Sequence, residues 1–145
     1  MSVTMNKNYI KPQELRIGNW VQYKFYNPHP ESPSYEYTRV KIRGIYEDSI
    51  RFSFPNHNGI HKAKEVFPIP LSEEVLLRCP QFNKVPFTDE DRFYFEWELA
   101  NGLCLLSGDN DDVFLCEANN IRFQYLHQLQ NIVSSLGKEL EVRWT

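Results

Sequence analysis

Between residues 93 and 106 the chain spells out a β-hairpin. Phe93, Phe95, Trp97 and Leu99 alternate with Tyr94, Glu96 and Glu98, and Asn101-Gly102 follows. A two-residue period sends the two sets to opposite faces of a strand. Asn-Gly is the preferred two-residue hairpin turn, because both central positions want positive φ. That turn sets Leu99 opposite Cys104 and Trp97 opposite Leu106 on one buried face. The second half of the chain must therefore be built on an antiparallel sheet. Gly108-Asp109-Asn110-Asp111 turns again into a strand at Val113–Cys116, and a further strand covers Asn120–Phe123. Leu126, Leu129, Val133 and Leu136 then recur at the spacing of a helix lying on a sheet, from about Tyr125 to Leu136. Gly137 supplies its C-terminal cap, and Leu140–Trp144 is expected to add an edge strand.

The first half reads as strands as well. Gly18-Asn19 is a tight turn into a strand from Trp20 to Tyr26, with Val21, Tyr23 and Phe25 on one face. Three prolines within Asn27–Ser34 make a loop. A long strand runs from Tyr35 to Tyr46, with Gly44 placed for a bulge or bend. Ser49–Phe54 follows, with Ile50, Phe52 and Phe54 inward, and Ala63–Phe67 gives a last short strand. Pro68-Ile69-Pro70 separates the halves. Ser72 is expected to cap a short helix through Val75, Leu76 and Cys79, ended by Pro80. The fold expected is α+β: residues 1–70 an SH3-like small β-barrel, residues 71–145 an antiparallel sheet covered by a C-terminal helix, the two packed as one unit.

Composition narrows the function classes. Apolar residues make up 41% of the 145 and aromatic residues 14%, enough for a packed core and against disorder. No apolar run approaches the roughly 20 residues that span a bilayer. The first eight residues lack the apolar stretch of a signal peptide, so a cytoplasmic location without membrane association is expected. In that compartment Cys79, Cys104 and Cys116 are expected to be reduced, although the last two could meet across a hairpin. Net charge is −3, but residues 1–70 carry ten Lys/Arg against six Asp/Glu, while residues 71–145 carry six against thirteen. Such asymmetry can mark a basic binding face.

No constellation carries recognisable catalysis. His57 and His61 have the spacing of a helical metal pair but lie in a Pro/Asn/Gly loop. Asp109, Asp111 and Asp112 lack the remainder of a calcium loop. Glu96 and Glu98 share a strand face, which is the wet side of an amphipathic strand before it is an acid–base pair. Glycine-rich phosphate loops and the G-x-S-x-G nucleophile turn do not occur. We therefore expect no enzyme, no catalytic residue, no cofactor and no metal. An enzyme assembled from dispersed residues is the remaining alternative.

Two surfaces are candidates for binding. Tyr35, Tyr37, Arg39, Lys41 and Arg43 share one face of the long strand, and Arg51 joins them from the next. Aromatics stack on unpaired bases and cations hold phosphates, so this face suits single-stranded nucleic acid or a protein partner. On the C-terminal helix His127, Gln130 and Asn131 fall beside one another and are a candidate partner-binding strip.

Three blocks carry a resemblance: Glu14-Leu15-Arg16-Ile17-Gly18-Asn19-Trp20-Val21, Ile69-Pro70-Leu71-Ser72-Glu73-Glu74-Val75-Leu76-Leu77, and Leu126-His127-Gln128-Leu129-Gln130-Asn131-Ile132 with Leu136-Gly137-Lys138-Glu139-Leu140. In this order they resemble a family of Bacteroidetes proteins from prophage and mobile-element settings that has no assigned activity. Val75 and Cys79-Pro80-Gln81-Phe82 depart from its pattern of an aromatic after Glu-Glu and a Gly-Phe after the helix. The resemblance implies a bacterial cytoplasmic location and an accessory role linked to a phage or mobile element. With it, the reading is a non-enzymatic binding module whose partner is a protein or, alternatively, single-stranded nucleic acid.

Overall fold

The structure is a computed structural model and describes residues 9–29, 31–55, 59–86, 93–100, 102–108, 112–116 and 118–144. Contacts divide the chain into two units, Met1–Ile69 and Pro70–Thr145.

In the first unit the entry turn is a hydrogen-bonded device. Asn19 N–H donates to the Arg16 carbonyl at 3.1 Å, and Gly18 takes φ 97°, the left-handed value such a turn needs at its third position. Gly18 N–H donates to the Ile42 carbonyl (2.8 Å) and Ile42 N–H to that of Asn19 (2.9 Å), fixing the turn to the strand that holds Ile42. Strands β1 (Trp20–Asn27), β2 (Ser34–Ile45), β3 (Ile50–Ser53) and β4 (His61–Ala63) form an antiparallel sheet in that order. The register of β2 on β3 shifts between Ile42 and Gly44, which makes Arg43 the extra residue of a bulge.

The strand expected at Ala63–Phe67 is displaced. The chain pairs with β3 over His61–Ala63, bends at Lys64, and returns to β1, where Gln22 and Phe67 exchange backbone bonds of 2.7 and 2.8 Å. This return curls the sheet into a half-barrel. Its interior is Ile10, Leu15, Val21, Val40, Ile42, Ile50, Phe52 and Val66.

The second unit starts with a short helix α1 (Glu73–Leu77). Ser72 Oγ accepts from Val75 N–H at 3.3 Å, as an N-cap does. Strands β5 (Asn83–Pro86), β6 (Phe93–Glu98), β7 (Cys104–Gly108), β8 (Val113–Leu115) and β9 (Ala118–Phe123) form an antiparallel sheet in chain order, and helix α2 (Leu126–Ser135) follows. The molecule is thus α+β, with two antiparallel sheets, one of them half-barrel-like, and a C-terminal helix. No helix among the described residues is long and apolar enough to cross a membrane.

The hairpin register differs from expectation by one residue. Leu99 N–H donates to the Leu103 carbonyl at 2.9 Å, and Trp97 pairs with Leu105, Glu96 with Leu106 and Glu98 with Cys104. The loop therefore holds three residues, with Gly102 at φ 98° supplying its left-handed position. Asn101 lies outside the described residues. Since a one-residue slip exchanges the faces of the partner strand, Leu105 and Ser107 are buried beside Trp97, and Trp97 Nε1–H donates to Ser107 Oγ at 2.9 Å.

The same register overturns the expectation of reduced thiols at two positions. Leu105 opposite Leu115 brings Cys104 opposite Cys116 with Cα atoms 5.4 Å apart, and the two are joined as a disulfide. That separation lies within the usual range of about 4.4–6.8 Å. Only Cys79 is free. Two further corrections concern the C-terminus. Leu126, Leu129 and Val133 are buried as expected, but Leu136 is 51% exposed, because it has already left the helix as its C-cap. Gly137, at φ 84°, donates to Ser134 and Lys138 to Val133, closing the helix end. Leu140–Trp144 forms no strand; Glu141 N–H donates to the Gln81 side chain and Arg143 N–H to the Arg78 carbonyl, so the segment is tied to the end of α1 rather than to a sheet edge.

Candidate functional site

Strand pairing fixes what the half-barrel shows outward. Val21, Val40, Ile42, Ile50 and Phe52 face the interior, so the residues between them face away. Directly paired residues share a face, and the ladders set Trp20 beside Lys41, Gln22 beside Arg39, Lys24 beside Tyr37 and Tyr26 beside Tyr35. Arg51 follows, next to Lys62 of β4, and Arg43 Nε–H donates to Ser53 Oγ at 2.9 Å. The outward positions of the four strands thus carry six cations, Lys24, Arg39, Lys41, Arg43, Arg51 and Lys62, and no carboxylate.

Aromatic rings are threaded among these charges. Lys24 Nζ lies 4.8 Å from the centre of the Tyr35 ring and 6.0 Å from that of Tyr37. Arg51 stacks 4.7 Å from Tyr46, and Lys41 Nζ lies 5.9 Å from Trp20. Tyr26 meets Tyr35 edge-on at 5.3 Å, and Tyr37 meets Phe67 at 5.6 Å. Tyr35 is 64% exposed and Tyr37 49%. Ring faces and cations together are therefore accessible across β1 and β2.

The residues singled out by sequence have different fates. Tyr35, Tyr37, Arg39, Lys41, Arg43 and Arg51 all lie on this one face. Trp20, Lys24, Tyr26 and Lys62 belong with them and were missed; the first three were legible, since they alternate with Val21, Tyr23 and Phe25. Tyr46 and Phe67 had no such signal, because a bulge and an isolated bridge place them.

The proposed strip on α2 is not an exposed one. His127 and Gln130 are buried and Asn131 is half-buried. The strip assumed that polar side chains of a helix face water, whereas the His127 ring stacks on Tyr125 at 5.9 Å. Gln128 closes the helix start, its Oε1 accepting from Tyr125 N–H at 3.1 Å. His61 packs on Phe52 and Phe54 at 5.9 and 4.7 Å, as an aromatic would. Its spacing partner His57, like Asp109 and Asp111, lies outside the described residues. Burial pushes the Cys79 thiol up to about 12, so it keeps its proton at neutral pH.

Comparison of the chain with protein-family models, with curated proteins and with solved structures finds no match.

Proposed function

We propose that the protein is a non-enzymatic binding module and that the outward face of its half-barrel grips single-stranded nucleic acid. The observation that supports this most is the run of six cations without a carboxylate on four adjoining strands, interleaved with exposed Tyr rings. Like charges crowded on one face oppose folding, so their arrangement is accounted for by a polyanion rather than by stability. Phosphates would lie along the cations while unpaired bases stack on Tyr35, Tyr37 and Tyr26, a mode in which every base offers a π-face and sequence preference is slight. On this reading the half-barrel is SH3-like and the protein a cytoplasmic accessory of a phage or mobile element.

The test is fluorescence anisotropy of labelled oligo-dT and oligo-rU across a salt series. Binding should weaken with a log–log slope of about −0.7 per phosphate neutralised, and a duplex of equal length should bind more weakly. Changing Arg39, Lys41 and Arg43 together to Glu should abolish binding while circular dichroism stays unchanged. Binding that survives the triple change, or that ignores salt, would refute the proposal.

A further inference from the structure

The second sheet holds a separate cluster of chemistry on the face opposite Trp97. Glu98 pairs with Cys104, so Glu96, two residues away, projects to the same side as both cysteines. Glu96 Oε1 lies 3.0 Å from Cys104 Sγ. One ligand atom from each of Glu96, Cys104 and Cys116 falls within 4.8 Å of the other two, and all three residues are half-buried. A disulfide sulfur carries no proton for the neighbouring carboxylate, so in the oxidised pair Glu96 gains no hydrogen bond from the contact. Ionising both thiols of the reduced pair beside the carboxylate would crowd three negative charges together, which a dication relieves.

We propose that Cys104, Cys116 and Glu96 form a redox-gated site for a thiophilic divalent cation of the zinc type. Two thiolates and one carboxylate are a donor set that zinc accepts, with bonds of about 2.3 Å to sulfur and about 2.0–2.2 Å to oxygen. A tetrahedral ion of those bond lengths spaces its ligand atoms roughly 3.5–4 Å apart, which side-chain rotation reaches from a cluster of this size. The fourth position is left to solvent. Opening the site consumes two molecules of a low-molecular-weight thiol: their two electrons and two protons pass to the protein disulfide, giving two cysteine thiols and one small-molecule disulfide. Binding of the ion then releases the two thiol protons as two metal–sulfur bonds form. Oxidation reverses the sequence and ejects the metal.

Titration of the full chain with Co2+ after phosphine reduction tests this, because thiolate ligation produces a charge-transfer absorption that oxygen ligands alone do not. One Co2+ per chain should bind with that band and be displaced by Zn2+, and the oxidised protein should show none. Cys104→Ser and Cys116→Ser should each remove most of the band. Glu96→Gln should keep the band but weaken binding at least about tenfold, the loss typical even of a group that only supports a ligand. Reduced wild-type protein without the band would overturn the proposal, as would undiminished binding in the double serine variant. The oxidised-against-reduced comparison needs no variant, so the proposal stands or falls on the wild-type chain even where a substituted one fails to fold.

Discussion

The two units solve the same interior problem and differ in how their charges are set. In the half-barrel, every charged outward strand position is a Lys or Arg. In the second unit cations sit against carboxylates: Lys84 Nζ lies 3.0 Å from Glu73 and Arg122 2.8 Å from Asp112. Lys84 also caps the ring of Phe95 at 3.8 Å. Paired half-exposed charges contribute at most about 1 kcal/mol each, but they cost little. The single-sign face sets its cations against rings and a hydroxyl instead, as at Lys24 with Tyr35, Arg51 with Tyr46 and Arg43 with Ser53. On the proposed function, the contrast separates charges matched to carboxylates within the fold from charges that a polyanion would meet.

The comparison can be broken first at the interiors. Phe52→Ala should destabilise the first unit by about 3–5 kcal/mol and Leu129→Ala the second by about 2–5 kcal/mol, both residues being buried. Urea unfolding followed by circular dichroism would measure this. A near-zero effect at Phe52 would mean that inside and outside of the half-barrel are exchanged.

A smaller effect sharpens the functional half. Tyr35→Ala and Tyr37→Ala should each cost about 1–3 kcal/mol of oligonucleotide binding and less than about 0.5 kcal/mol of stability. Equal losses in both measurements would make the rings structural. Smaller again, Gly137→Ala should cost about 1 kcal/mol, read from the thermal midpoint. Nothing lies within 4 Å of the added methyl, so φ +84° alone opposes it.

The smallest effect at working pH belongs to Cys79. Its thiol is raised from 9.0 to about 12 by burial, so the folded state holds a proton that the unfolded state releases. Stability should be flat below about pH 9 and fall from there toward pH 12. Cys79→Ala should flatten that decline, and a pH titration of unfolding free energy reports it. An unchanged alkaline slope would show that this thiol is not what titrates.

Much of this was legible because it depends on one period. Val21, Tyr23 and Phe25 in β1, and Val40 and Ile42 in β2, alternate cleanly, so their neighbours could be assigned to the other side from sequence. The misses share a different cause. Strand β5, Asn-Lys-Val-Pro, has too few apolar residues to show a period and is held by its pairing to β6. The hairpin register turned on whether Gly102 ends a two-residue or a three-residue loop, a backbone choice one dipeptide does not decide. The disulfide depended on that register in turn. On α2, polarity misled: His127 and Gln130 are buried because the fold covers them, and no periodicity reports that.

The inserted residue in β2 has a last consequence. Up to Ile42 the even-numbered residues point to the core, yet past Arg43 it is Ile45 that packs inward, opposite Ile50. Two successive residues, Arg43 and Gly44, are thereby given to the outer side. The side chain of Tyr46 folds over Gly44, where an added Cβ would meet its ring at 2.7 Å, and Arg51 rests on that ring. One strand therefore runs two counts at once. Its concealed count skips a beat where its displayed count doubles one, and Arg43, bonded to the buried Ser53 hydroxyl, ties the display to what lies beneath.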